Sequence, residues 1–73
     1  MAVSWDRSDD RIWFGRLRNA DHELHLVVEQ LPHGPGWDWS VWEPFTSKIL
    51  LSGHANSRQE AVEAVELAAT GQT

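Results

Sequence analysis

The sequence predicts an α+β domain: a four-stranded antiparallel meander sheet followed by one C-terminal helix packed on one face. Three observations carry that prediction. Residues 22–30 alternate between apolar and polar side chains, the period of a half-buried strand. Two prolines and two glycines then fall within residues 31–36, which neither a strand nor a helix tolerates. Beyond Gly53 the period changes from that of a strand to that of a helix. On this reading residues 1–10 are an N-terminal arm, residues 11–70 a single domain, and residues 71–73 a tail.

The arm is read from its turn formers Asp6, Ser8, Asp9 and Asp10. Trp5 is its only large apolar anchor, with the ring folded back onto the domain. The first strand runs from Arg11 to Arg18. Ile12 and Phe14 share one parity, while Trp13 and Leu17 share the other. Asn19-Ala20-Asp21 is a turn. The second strand runs from His22 to Gln30, with Leu24, Leu26 and Val28 on one face. After the Pro/Gly break, Trp37 to Glu43 forms the third strand. Trp37, Trp39 and Val41 take the face destined for the helix, and Trp42 the other. Pro44-Phe45-Thr46-Ser47 turns the chain into a short fourth strand from Lys48 to Ser52, ended by Gly53.

Ser57 followed by Glu60 is a capping-box pattern, in which Ser57 accepts from the Glu60 amide and Glu60 reaches back to the Ser57 amide. Ala61, Val62, Val65, Ala68 and Ala69 then form an apolar stripe on a helical wheel. Gly71 is the expected stop. Leu67 falls opposite the stripe, beside Glu60 and Glu63, and reads either as an ordinary exposed leucine or as a partner contact.

Bulk composition narrows function without naming it. The 73 residues include no cysteine, which excludes a disulfide framework and a thiolate metal site. The formal charge is −5, with six Lys+Arg against eleven Asp+Glu. A strongly basic nucleic-acid binder is therefore excluded. The charge is uneven: residues 1–18 carry +1 and residues 19–73 carry −6. No apolar run approaches a membrane span, and the first residues lack a signal peptide's basic start and apolar stretch. The expected setting is the cytoplasm, without a membrane partner.

Catalytic and metal constellations are weak. His22 and His25 are three apart on a strand and so face opposite sides. With His33 and His54 they lack the spacing of a zinc site. Ser52 and Ser57 lie near His54 in sequence, but no orienting acid or oxyanion hole is evident. We therefore expect no enzyme, no metal, no cofactor and no small-molecule substrate.

The binding candidates come from surplus apolar surface. One helix covers one sheet face, yet Trp13, Leu17 and Trp42 fall on the parity assigned to the other face. With Arg16, Arg18 and Leu67 they make up the candidate binding residues. The expected function is a small protein–protein interaction module, self-associating as a homodimer through the open sheet face. The alternatives are a nucleic-acid-associated module using Arg11, Arg16 and Arg18, or an acidic phage-type inhibitor of a host protein.

The junction Ser52-Gly53-His54-Ala55-Asn56-Ser57-Arg58-Gln59-Glu60-Ala61 resembles two families. One is the C-terminal half of double-stranded RNA-binding domains, which also run three strands into an alanine-rich helix. That resemblance implies RNA contact at the helix start, where this chain carries Arg58, Gln59 and Glu60. The other is the HicB-like antitoxin core, with a similar Gly…Ser…Glu-Ala junction. Over residues 11–70 the chain resembles small uncharacterised bacterial and phage proteins built as a strand meander with a terminal helix.

Overall fold

His22–Gln30 forms the middle strand of the sheet, and its alternation gives it one buried and one open face. The computed structural model describes residues 3–7, 10–19 and 22–71. In chain order the elements are β1 (Val3–Arg7), β2 (Ile12–Asn19), β3 (His22–Gln30), β4 (Trp37–Glu43), β5 (Lys48–Ala55) and α1 (Arg58–Thr70). The sheet is an antiparallel meander in the order β1-β2-β3-β4-β5. The α+β class and the C-terminal helix agree with the sequence reading. The strand count does not, because there are five strands rather than four.

The extra strand is the segment read as an arm. Val3 and Trp5 alternate towards the core, and β1 pairs along its length with β2, from Val3 opposite Leu17 to Arg7 opposite Trp13. Five residues with Asp6 among them give too short an alternation to outweigh the turn formers that follow. The turn readings at Ser8-Asp9 and Ala20-Asp21, and the tail at residues 72–73, lie outside the described residues.

The β2–β3 register corrects the assignment of faces on the first strand. Trp13 lies opposite Val28, Gly15 opposite Leu26 and Leu17 opposite Leu24. Trp13 and Leu17 therefore share the helix face, and Leu17 is buried at 1% exposure. Phe14 pairs with Val27 on the open face and stays 46% exposed. A shift of one residue exchanges the two faces of a strand.

A further correction falls on β5. The strand continues through Gly53 to Ala55 rather than ending at Ser52. An irregularity between Val41 and Trp42 then places Leu50 against the core, while Ile49 and Leu51 stay 48% and 38% exposed. One extra residue on a strand reverses parity beyond it, so Ile49 falls opposite Trp42 on the open face while Leu51 stays opposite Val41.

The core lies between the sheet and α1. Leu26, Val28 and Val41 from the sheet and Ala61, Val65 and Ala69 from the helix are fully buried. The three helical residues recur every four positions and bring α1 close to β3, β4 and β5. Ser57 caps the helix by accepting from the Glu60 amide at 3.2 Å. The return bond differs from a capping box: the Glu60 carboxylate accepts from the Asn56 amide, at 3.1 Å, instead of from Ser57. At the other end, Gly71 keeps a right-handed backbone and donates its amide to Leu67 O at 3.1 Å.

A single helix leaves the β1–β2 flank of the core uncovered. Two tryptophans fill that space. The Trp5 ring lies over Gly15, where a Cβ would sit 3.0 Å from three ring atoms. Its Nε1 donates to Glu66 Oε2 at 2.7 Å, tying the edge strand to the helix. Trp13 packs beside it, and the Arg58 guanidinium stands 4.8 Å from its ring centroid, in cation–π range. Trp37 and Trp39 also join the core, as their parity predicts.

Candidate functional site

The face away from α1 is built by alternate residues of β1 to β5. Three rows cross it. Arg16, His25 and Trp42 form one; Phe14, Val27, Ser40 and Ser52 form the next; Ile12, Glu29, Asp38 and His54 form the third. Ser4 and Asp6 extend it on β1. Among the described residues no secondary-structure element lies over this face. Phe14, Val27 and Trp42 make an apolar strip across its central strands. Trp42 donates its indole N–H to Ser40 Oγ at 2.7 Å, which draws the ring along β4. A shallow depression of ≈ 500 Å³ borders the strip, lined by Val27, Glu29, Asp38, Ser40, Trp42 and His54 among others.

Charged groups surround the strip. At one end Arg18 Nη2 donates to Glu23 Oε1 at 3.1 Å, and His25 Nε2 shares a 3.1 Å hydrogen bond with Glu23 Oε2. The Arg18 bond first, and the His25 bond second, hold the Glu23 carboxyl below its ordinary value of 4.5. A lowered carboxyl pKa in the folded state gives stability present above the unfolded value and lost as pH falls through the folded one. Glu23 is therefore expected to titrate below 4.5, and Arg18→Ala to move it upward, in a side-chain carboxyl NMR titration. An unmoved Glu23 would show that the Arg18 bond is absent in solution.

At the other end His54 Nδ1 lies 3.2 Å from Asp38 Oδ1, across the β4–β5 pair. An acid on Nδ1 is half of a nucleophilic triad, and Ser52 precedes His54 by two residues on the same face. The imidazole nevertheless leans the other way. A Cβ on Gly36 would sit 2.4 Å from His54 Cε1 and 3.0 Å from Nε2. The nitrogen a serine would need thus lies towards the Pro/Gly loop. Among the described residues, no three His, Cys, Asp or Glu side chains group as a metal site. No described helix is long and apolar enough to cross a membrane.

The turn beside this face is fixed by Glu43. Its carboxylate accepts from the Phe45 amide at 3.0 Å, the Thr46 amide at 2.8 Å and Thr46 Oγ1 at 2.6 Å. The Thr46 hydroxyl, then the Phe45 amide, lower its pKa. Ser47 completes the turn in the left-handed region, with φ 56°. Phe45 is left 90% exposed at the tip.

The structure separates the six sequence-predicted binding residues. Arg16, Arg18 and Trp42 share the open face. Trp13 and Leu17 lie on the opposite, helix-covered face. Leu67 is 77% exposed on the outside of α1, away from the sheet. Phe14, Val27 and His25 belong to the open face and were missed. The signal for them was the hairpin length. Only residues 20 and 21 separate Asn19 from its partner His22, and that spacing aligns Leu17 with Leu24. No family model matches this chain, and no curated protein or solved structure matches it.

Proposed function

We propose that this chain is a non-enzymatic protein-binding module whose binding surface is the open face of the sheet. One observation carries the reading. Phe14 stands 46% exposed at the β2 end of an apolar strip with Val27 and Trp42, on a face that no described element covers. A monomer with one helix is expected to present a polar second face, and apolar strips of this kind mark interfaces. Aromatic side chains are also the usual anchors of such surfaces.

Nucleic-acid binding is the weaker reading. Arg16 beside Phe14 favours it, since cation and ring together suit a stacked base. The same face carries Asp6, Glu23, Glu29 and Asp38, which repel a phosphate backbone.

The test is photo-crosslinking with p-benzoylphenylalanine at position 14, and separately at position 67, in cells producing the full chain. A discrete protein adduct from position 14 and none from position 67 is the expected result. Adducts from position 67 alone would move the binding surface to the helix, and none from either position would remove the proposal.

A further inference from the structure

The charges of the open face are arranged in a way that identifies its occupant. Along the strands, the row of Arg16 and His25 lies on one side of the apolar row of Phe14 and Val27. The row of Glu29 and Asp38 lies on the other. Arg16 is thus separated from Glu29 and Asp38 by two row spacings of about 7 Å each, while Asp6 lies in the Phe14 row and His25 is bonded to Glu23 of its own chain. Val27 sits on β3, the middle strand of five, so the pattern is centred on the sheet.

Such a face is complementary to itself under one rotation. A two-fold axis lying in the interface, across the strands and through the Phe14–Val27 row, sets each strand on its own copy but reversed. Phe14 then meets Phe14, Val27 meets Val27 and, at the β1 edge, Asp6 meets Asp6. His25 of each copy faces Glu29 of the other, and Arg16, one strand away, is within reach of the same carboxylate. The competing two-fold axis, along β3, sets Glu29 on Glu29 and Glu23 on Glu23 at the middle of the sheet, two like-charged pairs against the single Asp6 pair at the edge. Arg16 and Glu29 are both exposed, and neither forms an ion pair among the described residues. Each is available to the other copy.

The area agrees with a weak dimer. Five strands about 4.8 Å apart and roughly seven residues long present about 24 × 23 Å. Two such faces bury roughly 1,100–1,200 Å², at the lower limit for a specific stable interface. We propose that the occupant of the open face is a second copy of this chain, packed sheet on sheet with antiparallel β3 strands, with Arg16 and His25 of each copy against Glu29 of the other. The inference rests on the open face being a binding surface and adds its partner and orientation.

Sedimentation equilibrium of the full chain, from about 10 µM to 1 mM, tests it, because self-association depends on protomer concentration. The wild type is expected to pass from monomer to dimer in that range. Arg16→Glu and Glu29→Arg are each expected to weaken dimerisation about tenfold or more, and the double variant to return within about threefold of wild type. Both positions are exposed, and circular dichroism verifies that each variant folds. A strict monomer at 1 mM, or a double variant no better than the singles, would overturn the second-copy inference. If position 14 then crosslinks to a different protein, the binding surface stands and only its occupant changes. If position 14 crosslinks to nothing, the binding surface falls as well.

Discussion

Replacing Trp5 with alanine is expected to cost about 2–3 kcal/mol of folding stability, below the 3–5 kcal/mol that full truncation of a buried ring reaches. A core of this size supplies only about 3–5 kcal/mol in total, so the variant should be partly unfolded at room temperature. Two losses combine. The ring covers Gly15 and closes the core beside Leu17, on the flank α1 does not reach. Its N–H also holds Glu66 of the helix at 2.7 Å. Trp5→Phe separates the two losses, since it keeps most of the apolar area and removes the donor. It should cost about 1 kcal/mol, the usual net value of one hydrogen bond. Glu66→Gln should cost no more than Trp5→Phe, because the amide oxygen still accepts. Urea unfolding followed by far-ultraviolet circular dichroism measures all three without relying on indole fluorescence, which four other tryptophans would confuse. If Trp5→Ala leaves the midpoint unchanged, β1 is not part of the cooperative unit.

The five tryptophans show what was legible in the sequence. Trp37 and Trp39 were placed correctly because β4 sits between two partners and its alternation is uninterrupted until Trp42. The sequence marks Trp5 as an anchor, and it is one, but within a paired strand rather than an arm. Trp13 was misplaced because β2 is apolar on both parities, so its own residues hold no preference. The deciding fact was the pairing with Leu24, Leu26 and Val28, which depends on one hairpin's length. The helix was easier, since capping chemistry and a period of 3.6 are both local. The open face was hardest to read. Its strip takes Phe14 from β2, Val27 from β3 and Trp42 from β4, and no local pattern joins residues so far apart in the chain.

Replacement of Gly53 by valine is expected to destabilise the domain by about 2–3 kcal/mol, the upper part of the range for overpacking a close contact. The reason is a close approach rather than a turn. Gly53 pairs with Trp39, and a Cβ there would lie 2.4 Å from Trp39 Cζ2 and 2.6 Å from Cε2. The indole lies flat over the space a side chain would occupy. It must therefore swing out, and Trp39 packs on the core at the row of Trp13 and Val28. A glycine inside a strand pattern often marks such an approach, and β5 runs through Gly53 to Ala55. The reciprocal experiment is more informative than the single one. Trp39→Val alone should destabilise by about 2 kcal/mol through lost packing. Combined with Gly53→Val, it removes the clash and adds a β-branched pair across β4 and β5. The double variant should then be about 1 kcal/mol or more better than the sum of the singles, the coupling expected of residues in direct contact. Additivity in the measured urea midpoints would mean that Gly53 is required by the backbone itself and not by the ring of Trp39.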